Sequence, residues 1–413
     1  MATKLGIDYW RLWTSAGLSD LADGIVKLAL PLVAIEVTRS PALVAGLTFA
    51  FTLPWLLFAL PAGALVDRMD RRRVMLGANI VRATLLTVLV LAVVLHAGSI
   101  WALYVVALSV GTAETLYDTA AQSILPQIVA REQLSKANGR LYAAELGASQ
   151  FVGPPLGGLL VAAGAVAAFV TPTALWLAAV GALLSVRGRF RLPRTEPTTL
   201  RADIAEGLRY LARHRLLRRL ATMVGIFNFT GNATSAILVL YAVGPTSAMR
   251  LSTSAYGVLL TAIAVGSLLG SFLTERIERR IGRARSLLLS IVGNLAIAAV
   301  PAVTANPYAI GGAFLLGGFG IMLWNSITVS LRQRITPDRL LGRLNSCYRL
   351  LAWGTMPVGA AIGGLLAQLF GLRAVFVVMT CVTLVSVLGM RIVTDRAMDA
   401  AEREHDAITT PSR

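Results

Sequence analysis

Long apolar stretches alternate with short polar joints along almost the whole chain. Twelve stretches approach the ~20 residues that a helix needs to cross the hydrocarbon core of a bilayer. They lie near residues 11–36, 42–65, 74–96, 99–124, 138–163, 166–186, 219–243, 253–274, 284–303, 307–330, 344–368 and 372–393. A spanning barrel strand needs only about 10 residues, so these lengths favour helices. The pattern predicts an all-α membrane protein with twelve transmembrane helices.

A polar stretch separates six of these spans from the other six. We divide the chain into an N-terminal six-helix bundle (1–186), a cytoplasmic linker (187–218), a C-terminal six-helix bundle (219–393) and a cytoplasmic tail (394–413). The linker begins with a Pro-containing segment. It continues with an amphipathic pattern, which predicts a helix lying on the membrane surface. The apolar positions of that pattern are Ile204, Leu208, Leu211 and Leu216.

The two halves also resemble each other. "NGRLYAAELGASQFVGPPLGGLL" at 138–160 is echoed by "NSCYRLLAWGTMPVGAAIGGLL" at 345–366. Two similar sets of six spans are typical of transporters whose halves are related by an axis along the membrane normal. We therefore expect two pseudo-symmetric bundles.

Charged residues make up 14% of the chain and the net charge is +17, whereas soluble domains carry about 25% charged residues. Arginines gather in alternate joints, and the opposite loops hold almost none beyond Arg39, Arg250 and Arg373. The positive-inside rule then predicts a multi-pass protein of the cell (inner) membrane with both termini in the cytoplasm. The basic joints face anionic lipid, so the charge needs no nucleic-acid partner.

Sequence motifs for other chemistry are absent. Cys347 and Cys381 both fall inside predicted spans, and the histidines are far apart, so we expect neither a disulfide framework nor a metal site. The chain has no GxSxG, HExxH or Walker-type segment. We therefore expect no enzyme activity and no cofactor.

The joint between the second and third spans reads "GALVDRMDRRRVML" at 63–76 and is unusually charged. It resembles the signature of the major facilitator superfamily, G-x-L-x-D-R-x-G-R-R, with Asp70 in place of the second glycine. The matching positions are Gly63, Leu65, Asp67, Arg68, Arg71 and Arg72. The resemblance implies the superfamily fold, with spans one, four, seven and ten lining a central cavity.

Further segments are similar to an exporter branch that contains enterobactin-exporter-like and macrolide-efflux-like proteins. They are "ETLYDTAAQSILPQIVAREQLSKANGRL" at 114–141, "VGPPLGG" at 152–158 and "EGLRYLARHRLLRRL" at 206–220. The resemblance implies a secondary active transporter, working as a monomer, that exports an amphiphilic drug-like or siderophore-like molecule against protons. An importer or a lipid flippase on the same fold stays open, as does, more distantly, a membrane sensor.

The resemblance also implies a cytoplasmic gate at the charged joint. Asp67 would dock near residues 343–346 when the cytoplasmic side is closed, because a carboxylate is favourable near a helix N-terminus. Gly63, Arg68, Arg71 and Arg72 would complete this gate, with the arginines holding nearby acids. The alternative is that the arginines only anchor the membrane topology.

Acidic residues inside two spans are candidates for proton coupling. Asp20, Asp23 and Lys27 share one face of the first span, and Glu114 and Asp118 share one face of the fourth. At about 1.5 Å per residue from the cytoplasmic edge, the two acidic pairs lie at matching depth. Clustered carboxylates in a wet cavity can exchange protons.

A structural role for these acids is the alternative. Asp23 and Lys27 could pair within the first span, since they are four residues apart. Arg82 or Arg349 could neutralise other acids, and Glu145 in the fifth span is a weaker coupling candidate that could pair with Arg82.

The second half offers a neutral wall for a substrate. Asn228 and Asn232 share one face of the seventh span, and Asn325, Arg349 and Trp353 follow in the tenth and eleventh spans. Amide and aromatic groups opposite an acidic wall suit an amphiphilic, neutral or cationic molecule. Each asparagine could instead form a hydrogen bond between helices.

Gly153, Pro154 and Pro155 should bend the fifth span. By resemblance, such a motif accompanies exchange transport. The alternative is that the glycines of this segment only permit close helix packing.

Overall fold

The computed structural model describes residues 5–130, 133–188, 190 and 200–409, except for some side chains within these ranges. Its elements are α-helices interrupted by one π-helical turn, Leu146–Val152. The helices are α1 Ile7–Val37, α2 Pro41–Arg68, α3 Arg71–Val94, α4 Ile100–Ile128, α5 Leu134–Glu145, α6 Gly153–Ala163, α7 Ala165–Leu184, α8 Leu200–Arg213, α9 Arg215–Ala242, α10 Thr253–Ile281, α11 Arg283–Val303, α12 Pro307–Ile335, α13 Asp338–Phe370, α14 Leu372–Gly389 and α15 Asp395–Thr409.

Eleven segments in the described part of the chain are long and apolar enough to cross a membrane. One of them, Lys136–Ala163, combines α5, the π-turn and α6. The remaining predicted span is α1, which has 31 residues but carries Asp20, Asp23 and Lys27 in its middle. Because α1 packs against α4, α6 and α7, its charges face other helices. The predicted all-α membrane architecture is confirmed.

Contacts group the chain into two compact units. Unit 1 contains residues 1–195 and 238–261, and unit 2 contains residues 196–237 and 262–413. In unit 1, α1 packs on α6 and α7, α2 packs on α4, and α3 packs on α4 and α7. In unit 2, α11 packs on α12 and α14, while α13 packs on α8 and α14. The loop between α9 and α10 thus groups with unit 1, whereas the sequence-based division assigns it to the second bundle.

Helix α8 packs only part of its apolar face against protein, since Leu208 on that face is exposed. Leu211 is buried in the core of unit 2, and the Tyr210 hydroxyl donates a hydrogen bond to the Ile335 carbonyl at 3.2 Å. Leu216 belongs to the following helix, α9, and is buried in the same core. The expected amphipathic helix is therefore present, and α13 with the end of α12 covers at least part of its apolar side.

Candidate functional site

A buried ion pair joins α1 to α3 in unit 1. Arg82 Nη1 lies 3.3 Å from Asp23 Oδ2, and the two side chains are 0% and 5% exposed. The same nitrogen donates to Ser19 Oγ at 3.1 Å and to Asn79 Oδ1 at 3.2 Å. One arginine therefore organises polar groups from two helices.

Aromatic rings flank this arginine. The Arg82 guanidinium carbon lies 5.3 Å from the Tyr117 ring centre on α4 and 5.5 Å from the Trp176 ring centre on α7. Cation–π contacts of this kind gain strength where water is excluded. Four helices thus hold the Arg82 charge in place.

A second ion pair joins α1 to α4. Lys27 Nζ donates to Glu114 Oε1 at 2.8 Å and lies 5.5 Å from the Phe51 ring centre. The pair considered from sequence, Asp23 with Lys27, is replaced by pairs between helices. The reason is geometric, because Arg82 reaches Asp23 from α3 while Glu114 approaches Lys27 from α4.

The other two predicted coupling acids form no ion pair with any residue in the described part of the chain. Asp20 and Asp118 are half-buried, and neither forms an ion pair or a hydrogen bond within the described residues. The charged neighbours of Asp20 are Asp23, Asp118, Glu145 and Lys27. Unit 1 therefore brings the four predicted acids into one electrostatic cluster, with two of them paired and two unpaired.

The structure does not form one ion pair considered from the sequence, between Glu145 and Arg82. It also adds residues to the cluster that the sequence did not indicate. Glu145 is exposed and does not pair with Arg82. Ser19, Asn79 and Trp176 were not singled out. The sequence feature that could have indicated these partners is Arg82, because an arginine in the middle of an apolar helix needs polar groups on neighbouring helices.

A cavity of about 340 Å³ lies within unit 2. All five residues predicted for a substrate cavity line it: Asn228, Asn232, Asn325, Arg349 and Trp353. Its wall also includes Thr328, which the sequence pattern of the tenth span indicates, and four residues that sequence reasoning missed: Asn294, Trp324, Arg332 and Tyr348. Helices α9, α11, α12 and α13 contribute these side chains.

Two of the asparagines are tied to backbone carbonyls. Asn228 Nδ2 donates to the Ala352 carbonyl at 2.8 Å, and Asn232 Nδ2 donates to the Asn228 carbonyl at 3.0 Å. The first bond links α9 to α13, as the structural alternative supposed. The amide oxygens of both side chains form no such bond within the described residues, so they remain able to accept one.

The predicted gate is described only in part. Gly63 and Asp67 lie within α2, but the burial of Gly63 and the side chain of Asp67 fall outside what the structure describes. Arg68 is exposed at the end of that helix. The docking of Asp67 near residues 343–346 therefore stays a prediction.

The arginines after Asp67 bind backbone carbonyls. Arg71 is 1% exposed and donates from Nη1 to the Phe190 carbonyl at 3.3 Å. Arg72 donates to the last carbonyls of α7, at 2.9 Å to Leu183 and 2.6 Å to Leu184. These contacts satisfy a helix C-terminus, which favours cations. They attach the joint to the end of the sixth span and to the chain just after it.

Asp70, which replaces the second glycine of the superfamily signature, accepts two backbone hydrogen bonds. It precedes α3 and accepts the Arg73 N–H at 3.2 Å, which caps the helix. Its second oxygen accepts the Phe190 N–H at 3.0 Å. The carboxylate therefore fixes the joint and the chain after the sixth span together.

The π-turn, Leu146–Val152, directly precedes the three residues predicted to bend the fifth span, and the bend itself stays a prediction. Pro154 and Pro155 occupy the first turn of α6, where a missing N–H is tolerated. Gly153 lies against α1, since a Cβ there would come 2.9 Å from the Gly24 Cα. A Cβ on Gly24 would meet the Ser149 carbonyl oxygen at 2.4 Å. This segment therefore touches α1 directly beside Asp23.

Comparisons with known proteins agree with this architecture. A family model described as transmembrane secretion effector matches residues 6–412. The enterobactin exporter EntS of Salmonella paratyphi A is 30% identical over 363 residues, covering 85% of this chain and 84% of that protein. The multidrug efflux pump Tap of Mycobacterium tuberculosis is 27% identical over 398 residues, covering 92% of each.

Solved transporter structures share the fold. A bacterial homologue of the iron transporter ferroportin, in its inward-facing state, superposes with a TM-score of 0.74 at 19% identity, covering 94% of this chain and 98% of that one. A bacterial homologue of the human lysosomal transporter Spinster gives a TM-score of 0.71 at 15% identity, covering 95% and 97%. The predicted major facilitator fold is confirmed. The chain is not an enzyme: it is a multi-pass membrane protein that belongs to the transmembrane secretion effector family of major facilitator superfamily transporters.

Proposed function

We propose that this protein exports an amphiphilic small molecule, drug-like or siderophore-like, in exchange for protons. It would work as a monomer in the cell (inner) membrane, with both termini in the cytoplasm. Alternating access of its two halves would carry the substrate. The export direction is supported by the two relatives, one an enterobactin exporter and the other a multidrug efflux pump.

Proton coupling is supported by a difference among the four acids of unit 1. Two of them form ion pairs, and the other two form none among the described residues. Asp23 and Glu114 are bound by Arg82 and Lys27 respectively, so each keeps its charge at low cost. Asp20 and Asp118 lack such a partner among the residues that the structure describes, and a carboxylate in a span is less costly when it is neutral. We therefore assign proton uptake and release to Asp20 and Asp118.

The paired acids would make this uptake depend on conformation. Asp118 has Glu114, Arg82, Asp23 and Lys27 as charged neighbours. Helix movement that brings Lys27 or Arg82 nearer would favour the ionised form of Asp118 and release its proton. Movement away would favour rebinding. Proton occupancy and helix position would then be linked, as antiport requires.

The test is proton flux in proteoliposomes that hold a pH gradient. We use enterobactin, erythromycin and ethidium as probes and a pH-sensitive dye as the readout. At least one probe should evoke proton flux through the wild-type protein. The Asp20→Asn and Asp118→Asn variants should each reduce that flux about tenfold or more, because a general proton carrier has been removed.

Asp8→Asn is the matched control, since Asp8 lies at the end of the same helix and pairs only with Arg11 among the described residues. Its flux should equal that of the wild type. A double Asp20→Asn, Asp118→Asn variant with unchanged flux would refute the assignment. Gradient-driven accumulation of the probe on the cytoplasmic side would identify an importer instead.

A further inference from the structure

A basic patch lies at the start of the seventh span, where α8 meets α9. Four exposed arginines occur within ten residues of the chain: Arg209, Arg213, Arg215 and Arg218. None of the four forms an ion pair with a residue that the structure describes. Leu208, which precedes them on α8, is 38% exposed. Arginines clustered beside a span, together with an exposed apolar side chain, are typical of a surface that binds anionic lipid.

An open apolar groove begins at this patch and follows α9 into the span. Its volume is about 370 Å³, and its walls come from α8, α9 and α13. Ala221, Ile226 and Phe229 on α9 and Leu351 on α13 form much of its surface. Arg218 is the one charged side chain in its described lining. The groove therefore suits a molecule with a long apolar part and a polar end.

The length of this groove matches one leaflet of a bilayer. It extends along α9 from Arg218 to Phe229, which is about 16 Å at 1.5 Å per residue. The hydrocarbon core of a bilayer is about 30 Å thick, so one leaflet contributes about 15 Å. An acyl chain with its polar end beside Arg218 would therefore find an apolar wall along its whole depth in the leaflet.

The Arg218 side chain is held at the mouth of the groove. Its Nη1 atom donates to the Ala212 carbonyl, near the end of α8, at 2.7 Å. A guanidinium group has five N–H donors, so this bond leaves others that can bind phosphate oxygens. The Thr222 hydroxyl, one turn further along α9, donates to the Arg218 carbonyl at 2.9 Å. The polar end of the groove thus favours a ligand with negative charge.

We propose that this groove binds one anionic phospholipid of the predicted cytoplasmic leaflet, with the phosphate on Arg218 and an acyl chain along α9. The apolar wall accommodates the chain, the length of the groove fits one leaflet, and the arginine patch attracts the headgroup. The inference goes beyond the proposed transport function and does not depend on it, because it needs only a chain that spans the membrane.

The test compares two phospholipids that have the same acyl chains. Native mass spectrometry of the purified protein measures the binding of palmitoyl-oleoyl phosphatidylglycerol, an anion, and of the corresponding phosphatidylcholine, a zwitterion. The wild type should bind one phosphatidylglycerol at least about tenfold more tightly, since a hydrogen bond to a charged group is worth that much and the choline ammonium opposes the arginines. Glycerol phosphate, which has the charge without acyl chains, should not displace it.

Two variants test the two ends of the groove. Arg218→Gln should weaken phosphatidylglycerol binding about tenfold, because the phosphate loses its charged donor. Thr222→Trp should fill the groove and weaken the binding of both phospholipids about tenfold or more, because the acyl chain loses its apolar wall.

Each variant has a matched control. Arg276→Gln should leave phosphatidylglycerol binding unchanged, since Arg276 is exposed near the end of α10 and does not line the groove. Thr84→Trp should also have no effect. Like Thr222, Thr84 is exposed and donates to the carbonyl four residues earlier in its helix, but it lies on α3.

Equal affinity of the wild type for the two phospholipids would overturn the proposal, and this comparison stays valid if a variant fails to fold. Displacement by glycerol phosphate would indicate a site for small anions instead. An equal loss of binding in Arg276→Gln would show that any basic helix end attracts these lipids. Competition by the transport probes would assign the groove to transported molecules, and a dimer that Thr222→Trp abolishes would assign it to a second copy of the chain.

Discussion

Arg82 is a single buried side chain that forms polar contacts with residues of two membrane-spanning helices. Its sequence context is an apolar stretch of α3, which says only that the charge needs a partner. The structure supplies Asp23 at 3.3 Å, together with hydroxyl and amide oxygens from Ser19 and Asn79. Only the contact with Asn79 follows from spacing along one helix, because Asn79 precedes Arg82 by three residues on α3, whereas Asp23 and Ser19 come from α1.

Removing one member of this pair should be costly. We expect Arg82→Gln to lower the free energy of unfolding by about 3–5 kcal/mol, since it leaves the Asp23 charge buried and unpaired. The double variant Asp23→Asn, Arg82→Gln should regain most of that loss. The measurement is the thermal unfolding of the purified protein in detergent.

Arg279→Gln provides the comparison, because Arg279 forms an exposed pair with Glu275 on α10. Exposed pairs contribute little, so its melting temperature should match that of the wild type. An Arg82→Gln variant as stable as Arg279→Gln would show that the buried pair does not stabilise unit 1.

Helix α15 is linked to the start of α11 by a backbone hydrogen bond and ion pairs. Asp395 accepts the Ala284 N–H at 3.0 Å and so caps α11. Arg283, at the start of α11, forms ion pairs with Asp399 and with Glu402, the latter at 2.6 Å. Met398 is fully buried in the core of unit 2. The segment predicted only as a polar tail thus begins with a helix that is fastened to α11.

We expect Arg283→Gln to release α15, because two carboxylates lose their shared cation. Hydrogen exchange measured by mass spectrometry should accelerate about tenfold or more across residues 395–404, as a charged hydrogen bond of about 1.5–3 kcal/mol is lost. Arg285→Gln, an exposed neighbour on the same helix, should leave this exchange unchanged. Equal exchange rates in the two variants would mean that hydrophobic packing alone retains α15.

The fifth span and its counterpart in the second half have similar sequences but different helix geometry. The two sequence segments resemble each other, yet the first contains a π-turn at Leu146–Val152 and the second runs unbroken through α13. Pro154 and Pro155 together remove two backbone donors, whereas α13 has Pro357 alone. Composition therefore indicates where the fifth span departs from a regular α-helix, but it does not indicate the contact with α1 at Gly24.

The proposed cytoplasmic gate would act on the whole molecule, because it would control alternating access by the two halves. We expect Asp67→Asn to abolish probe efflux while the amount of protein inserted in the membrane stays unchanged. A docked carboxylate can bias a two-state equilibrium, and an amide in its place loses the charge. Efflux from cells and quantitative blotting of membrane fractions measure the two quantities.

Asp70→Ala is the instructive companion variant, since it removes the cap of α3 and the bond to Phe190. It should lower stability by about 1 kcal/mol while efflux per folded molecule persists. Full efflux by Asp67→Asn would contradict the gate and leave the joint as an anchor for the sixth span.

The sequence by itself determined the all-α membrane class, the position of the spans and the superfamily. Hydropathy and segment length are local properties, and the hydrocarbon core imposes them on each helix separately. It also indicated the acids and amides of the two candidate sites. Only the tertiary structure decided that Asp23 pairs with Arg82, that Lys27 pairs with Glu114, and that Arg332 joins Arg349 in one cavity. These contacts depend on which helices pack together and how far their side chains reach. Neither can be derived from residue spacing along one helix.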